Sequence, residues 1–234
     1  MTSPARNHYL RVSAALAAEA AQAGNPLRHA TGHELMLAQL AEHRRQLKQV
    51  QSIERKAEVK RKLLPEYAAW VAGALEADTG IQDEVLMTVM VWHIDAGDFA
   101  GALPLAAYAI RHGLSMPDQY QRTTACLIAE EFANMALKAT EAGEPVGLAA
   151  LGEVAELVAA EDMPDEVRAK LHKAIGYAHG AQIGKADATD TPALRQFVLS
   201  HLKRSLELHD KSGVKKDIER IERDIKNAAK AAAQ

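Results

Sequence analysis

Cysteine is nearly absent, with Cys126 alone in 234 residues. A single thiol cannot close an intramolecular disulfide, so the sequence predicts a protein of a reducing compartment. Aromatic residues are equally scarce, at 4%. With abundant alanine and no hairpin signal, that shortage argues against sheets and for helices. No long apolar run exists. The longest, Val85 to Ile94, is interrupted by Thr88 and His93 and is far too short to cross a bilayer core of about 30 Å. The N-terminus lacks the apolar stretch of a signal peptide. A soluble, intracellular protein with no membrane partner is therefore expected. An excess of one charge is missing too: the net charge of −3 by itself suggests no nucleic-acid partner.

The residues that are present say more. Hydrophobic side chains make up 48% and charged ones 25%, enough to pack a core and to exclude global disorder. The charges are unevenly spread. Residues 1–62 hold 11 Lys and Arg against 5 Asp and Glu, residues 63–200 hold 8 against 20, and residues 201–234 hold 9 against 6. The chain thus reads basic, acidic, basic. Both ends suit a polyanion or the acidic body of a neighbouring copy. Three regions follow: a basic helical region over 1–64, an acidic body of helical hairpins over 65–210, and a C-terminal amphipathic helix with a frayed tail over 211–234.

Proline and glycine are placed as helix punctuation. Pro65, Pro117, Pro145, Pro164 and Pro192 each precede an alanine-rich or periodic segment, and Thr191-Pro192 reads as an N-cap and first helical residue. Gly24, Gly80, Gly113, Gly143 and Gly213 stand where helices should stop. The predicted fold is all-α, with about ten helices over 5–23, 33–62, 66–78, 82–95, 100–112, 120–142, 146–160, 165–179, 192–209 and 214–231. The run Leu86-Met87-Thr88-Val89-Met90-Val91-Trp92 could be a strand. A capping box from Thr79 and Gln82 argues for a buried helix instead. Residues 82–112 suggest a helical hairpin turning at Asp95-Ala96-Gly97-Asp98, with Ala102, Leu105, Ala106 and Ala109 at the contact and Pro104 delaying or kinking its second helix. Residues 165–209 suggest a second hairpin.

Two segments carry recognisable chemistry. The first is a long helix over 33–62, about 45 Å if unbroken. It bears Arg44, Arg45, Lys48, Arg55, Lys56, Lys60, Arg61 and Lys62, opposed after position 44 by Glu54 and Glu58. Cations spread along a rod can track phosphates by displacing counterions. Met36, Leu40, Leu47, Val50 and Ala57 form its apolar stripe, interrupted by His43 and Glu54, and the alternative is a solvated face on a core or coiled-coil helix. The second is the seam Val214, Ile218, Ile221, Ile225 and Ala228, spaced four-three-four-three. Two heptads are marginal alone, so the seam needs a partner: the same chain, a sister subunit or another protein.

Other patterns fall short. His29 and His33 stand four apart beside Glu34, but Gly32 lies between them and no third metal ligand is evident. Gly180 to Lys185 has three residues between its glycines and Ala186 after the lysine, so it is not a phosphate loop. Asp165 and Glu166, with Arg168 and Lys170 nearby, have the letters of a metal nuclease. After Pro164 they read more simply as first-turn acids complementing a helix dipole.

Several stretches resemble the small terminase subunit of cohesive-end temperate phages with contractile tails. They are Met1-Thr2-Ser3-Pro4-Ala5 with Arg11-Val12-Ser13-Ala14-Ala15; Pro26 to Thr31; the hairpin from Leu86 through Asp95, Gly97-Asp98 and Ala100 to Leu103; Asp162 to Lys173; and Gly213-Val214-Lys215-Lys216 with Glu219-Arg220 and Glu222-Arg223. Together they span nearly the whole chain in order. The resemblance implies recognition of the packaging site on concatemeric viral DNA, recruitment or regulation of a large subunit carrying the ATPase and nuclease, and assembly into rings or other oligomers. Proteins of this branch are commonly called endonuclease subunits. Two departures stand out: no clear helix-turn-helix near the N-terminus, and no further basic tail after the last helix.

The expected function is a packaging protein of the host cytoplasm that binds double-stranded viral DNA through the eight cations of 44–62. Its partners would be the terminase large subunit, through Val214, Ile218, Ile221 and Ile225, and further copies of itself in a ring. No nuclease or ATPase site assembles from the residues, which leans against an enzyme and calls for no cofactor. Two alternatives stay open: a metal-dependent endonuclease using magnesium, and a helical scaffold without DNA contact.

Overall fold

The computed structural model describes residues 3–22, 30–117, 121–183 and 192–232. Within them the chain is all-α: eleven α-helices, one 3-10 turn and no strand. It forms two compact units, Met1–Thr124 and Ala125–Gln234. No helix among the described residues is long and apolar enough to cross a membrane.

The N-terminal unit contains α1 (Pro4–Gln22), α2 (Ala30–Gln49), α3 (Ile53–Leu63), a 3-10 turn (Leu64–Glu66), α4 (Ala68–Ala77), α5 (Glu84–Asp95) and α6 (Phe99–Arg111). At its centre is α5, the strand-like run, which the structure confirms as a buried helix. Val85, Leu86, Met87, Val89 and Met90 are all sealed from solvent. Its cap differs from the expected box. Asp83 accepts from the backbone N–H of Val85 (2.8 Å) and Leu86 (3.1 Å). Gln82 instead bonds the backbone of Ser115, and Thr79 Oγ1 finds no partner. Asp83 wins because it immediately precedes the helix, where a short carboxylate reaches the first orphan amides.

The 82–112 hairpin forms as expected, with Ala102, Leu105, Ala106 and Ala109 buried at its contact. Gly97 at φ 76° makes the turn, and Asp98 caps α6 by accepting from Gly101 N–H at 2.9 Å. Pro104 does not delay α6, which begins at Phe99 and contains the proline in its interior.

α1 lies against α2 on one side and α4 on another. The α1–α4 approach is very close: a Cβ on Gly73 would meet the backbone oxygen of Arg11 at 2.3 Å.

The C-terminal unit holds α7 (Thr124–Ala142, whose first residue belongs to the other unit), α8 (Leu148–Leu157), α9 (Asp165–Gly180), α10 (Pro192–Leu208) and α11 (Lys215–Ala232). The expected 165–209 hairpin is the α9–α10 pair, packed where Gly176 admits Leu202. The expected helix stops at Gly113 and Gly143 are in place, each at positive φ with open space around the missing Cβ, so conformation alone calls for glycine there. Gly24, Thr191 and most of the 180–191 link lie outside the described residues.

Two glycine substitutions should move stability in opposite directions. Gly73→Ala drives a methyl into backbone; overpacking costs about 1–3 kcal/mol, while helix propensity returns about 1 kcal/mol, so its unfolding midpoint should fall. Gly152→Ala, in α8 with nothing near the new methyl, should raise the midpoint. Thermal denaturation followed by circular dichroism distinguishes the two.

Candidate nucleic-acid interface

The basic segment is two helices rather than one 45 Å rod. α2 ends at Gln49 and α3 begins at Ile53. Between them Ser52 is extended (φ −69°, ψ 130°), and its hydroxyl accepts from Arg55 N–H at 3.3 Å. Serine competes with helix continuation by capping a new one. Glu54 in the first turn of α3, with Lys60, Arg61 and Lys62 in its last, complements that helix's dipole. The cap signal was legible; the run of cations on both sides concealed it.

The eight cations divide into two groups. Arg44 is built into the fold: it pairs with Glu84 and donates through Nη2 to Thr88 Oγ1 at 2.7 Å, while its Nε is buried without a partner. Lys60, itself mostly covered, pairs with exposed Asp95, and Arg61 Nε donates to the Ala96 carbonyl at 2.9 Å. These three fasten α2 and α3 to the two ends of α5. Arg45 is exposed but paired with Glu42 three residues before it. Lys48, Arg55 and Lys62 are exposed, and Lys56 half-buried, and none of the four has an ion pair among the described residues. Arg55 and Lys62 share a stripe of α3 at seven-residue spacing, with exposed Glu58 between them. His43, which interrupted the apolar stripe, is core, its Nδ1 2.8 Å from the Tyr67 hydroxyl.

The C-terminal seam finds its partner within the chain. Val214, Ile218 and Ile221 are buried against Val198, Leu199 and Leu202 of α10, with Ile225 packed at the edge. A surface for a partner was expected there, and the chain itself already covers it, because α10 offers a matching apolar stripe nearby.

Asp165 and Glu166 are exposed in the first turn of α9. Arg168 turns away from them and donates to the carbonyls of Val158, Ala159 and Glu161, closing the end of α8. His33 stacks on Trp70 with ring centres 5.6 Å apart; His29 and Lys185 lie outside the described residues. Among the described residues no group of three or more His, Cys, Asp or Glu could hold a metal ion.

A family model described as Phage small terminase subunit matches residues 37–166. The chain belongs to that family. It is 49% identical over 226 residues to the "Terminase, endonuclease subunit" of Escherichia phage P2, covering 97% of this chain and 87% of that protein. It is 28% identical over 173 residues to the "Probable terminase, endonuclease subunit" of Haemophilus phage HP1 (strain HP1c1), covering 73% and 62% respectively. No solved structure matches. The resemblance read from the sequence is borne out, and with it the placement of this protein in phage DNA packaging. All eight cations fall within the span that matches the small-terminase family, whereas α10 and α11 lie beyond it.

The residues gave no warning of one further constellation in this small terminase. His172 of α9 and His201 of α10 bring their Nδ1 atoms to 3.0 Å, and Phe197 meets the His179 ring edge-on and the His201 ring at a tilt. One ring must donate and the other accept, so at least one of the two imidazoles is neutral and both cannot be protonated at once. Burial pushes His172 down to about 4, with His201, Arg204 and Arg168 adding to the effect; burial lowers His201 and His179 as well.

The unfolded chain takes up the His172 proton near pH 6.5 and the folded one only near 4, so stability rises with pH between those values. The contribution of His172 is complete above about pH 6.5 and is lost as pH falls toward 4. The unfolding midpoint should decline over that window, and the decline should be shallower in His172→Asn. An equal decline in that variant would remove this pair from the account.

Proposed function

We propose that this chain is the DNA-recognising, non-motor member of the terminase. It binds double-stranded packaging-site DNA in the host cytoplasm and recruits or regulates a large subunit that carries the ATPase and nuclease, and several copies assemble, in a ring, to do so. The observation that carries this reading is the set of cations unpaired among the described residues, exposed Lys48, Arg55 and Lys62 and half-buried Lys56, with Arg45 beside them, inside the family's matched span. Phosphates are positioned by such sequence-independent contacts. The contact is smaller than the full run of eight cations suggests, because Arg44, Lys60 and Arg61 are engaged in holding α5. In this reading 1–64 contacts DNA and neighbouring copies, the acidic stretch 65–210 supplies packing surfaces, and 211–234 reaches a partner only by the charged outer face of α11.

Binding to packaging-site DNA measured against salt concentration tests the assignment. Each phosphate contact contributes about 0.9 to the salt slope, so Lys48→Ala/Arg55→Ala/Lys56→Ala/Lys62→Ala should weaken binding and reduce the slope by about 3–4. Arg44→Ala should lower the unfolding midpoint while leaving the slope nearly unchanged. A quadruple variant that binds like wild type ends the assignment.

The names of both relatives, terminase endonuclease subunits, support a second reading, in which the chain cuts DNA itself with magnesium. Asp165 and Glu166 are the residues to change. Nicking of site DNA by the purified chain with magnesium or manganese, lost in Asp165→Asn/Glu166→Gln, would replace the first reading with this one.

A further inference from the structure

Large apolar side chains are exposed at five described positions, and three of them, Tyr9, Val12 and Leu35, lie on the α1–α2 hairpin. They share one face. The contact between these helices is marked by Arg6, which donates to Gln39, and by Ser13, which fills the space where Gly32 lacks a Cβ. Between Arg6 and Ser13, α1 points Leu10 inward (6% exposed) and Tyr9 outward (51%). Between Gly32 and Gln39, α2 points Met36 inward (1%) and Leu35 outward (58%). Tyr9 and Leu35 are therefore the outer neighbours of one antiparallel seam. Val12 and half-buried Leu16 extend the patch along α1, and exposed Ala38 extends it along α2.

An apolar face left in water on a helix calls for cover. α2 and α4 cover only the inner side of α1. We infer that its outer face is a self-association surface, covered by the same face of a second copy. This deepens the assembly part of the proposed function and rests on it: the face joins copies in pairs, and a ring needs a further contact between pairs.

The patch is complementary to itself in shape and charge. The register sets residue 9 level with residue 36, and residue 3 level with residue 42. Two hairpins laid face to face about a two-fold axis parallel to the helices place Tyr9 of each copy over Leu35 of the other, twice, in a four-helix arrangement of antiparallel neighbours. The same superposition brings Glu42 of one copy to the start of the other's α1, whose first turn contains no acid of its own, so a carboxylate meets the positive end of a helix. The centre of the face carries no charge, which suits an apolar twin and not DNA.

Light-scattering mass of the full chain, over a range of concentrations, tests this. Wild type should have at least twice the 25.3 kDa of one chain, and Val12→Glu/Leu35→Glu should fall toward 25.3 kDa with its helix content intact. An unchanged mass in the variant would sink the face and leave self-assembly standing; a wild type of 25.3 kDa throughout would sink both. Should the charged variant misfold, Tyr9→Cys and Leu35→Cys copies carrying different tags, expressed together and oxidised, give an independent result. The only native thiol, Cys126, is buried. A disulfide-linked pair carrying both tags supports the face, and its absence overturns it.

Discussion

Helix α5 is buried along nearly its whole length, and the N-terminal unit is organised around satisfying its two ends. A helix with no solvent face cannot leave its terminal amides, carbonyls and flanking acids to water. Asp83 caps its start and also accepts from the Trp70 indole at 2.8 Å. Glu84 and Thr88 take Arg44 from α2. At the other end Lys60 meets Asp95, and Arg61 meets the Ala96 carbonyl, where cations also complement the dipole. Three cations of the basic run thereby become structural. In fastening α3 to α5 they also decide which side of α3 is left outward, the side of Arg55 and Lys62.

The same economy governs the C-terminal unit. α11 has a narrow apolar seam between charged flanks, too short to stand alone. α10 covers it, and Tyr177 of α9 locks it by donating to Asp217 at 2.7 Å. What remains outward on α11 is charge. In both units the segments with the strongest pattern serve the fold first, and what they leave in solvent is charge.

The helical architecture was legible because its signals are local. The α5 run, the α5–α6 turn at Gly97-Asp98 and the stops at Gly113 and Gly143 were all read from neighbouring residues. The failures were of two kinds. Some were local contests decided by small margins: Ser52 broke a basic helix whose cations ran on past it, and Asp83 displaced Thr79 as a cap by being nearer. Others were beyond local reading. Arg44 meets Glu84 forty residues away, Lys60 meets Asp95 thirty-five away, and His172 meets His201 twenty-nine away. Nothing in the spacing of lysines separates Lys60, held in an ion pair, from Lys62, free in solvent.

The sequence by itself determined that this chain is helical, roughly where its helices start and stop, and that it belongs with the small terminases. A helix is closed by bonds between residues three and four apart, and a family likeness is carried residue by residue. Only the tertiary structure decided which cations are taken up by the fold and which stay in solvent, what covers the C-terminal seam and which apolar residues remain uncovered. Those outcomes depend on which distant surfaces meet, and a linear pattern of charge and hydrophobicity does not encode its own partner.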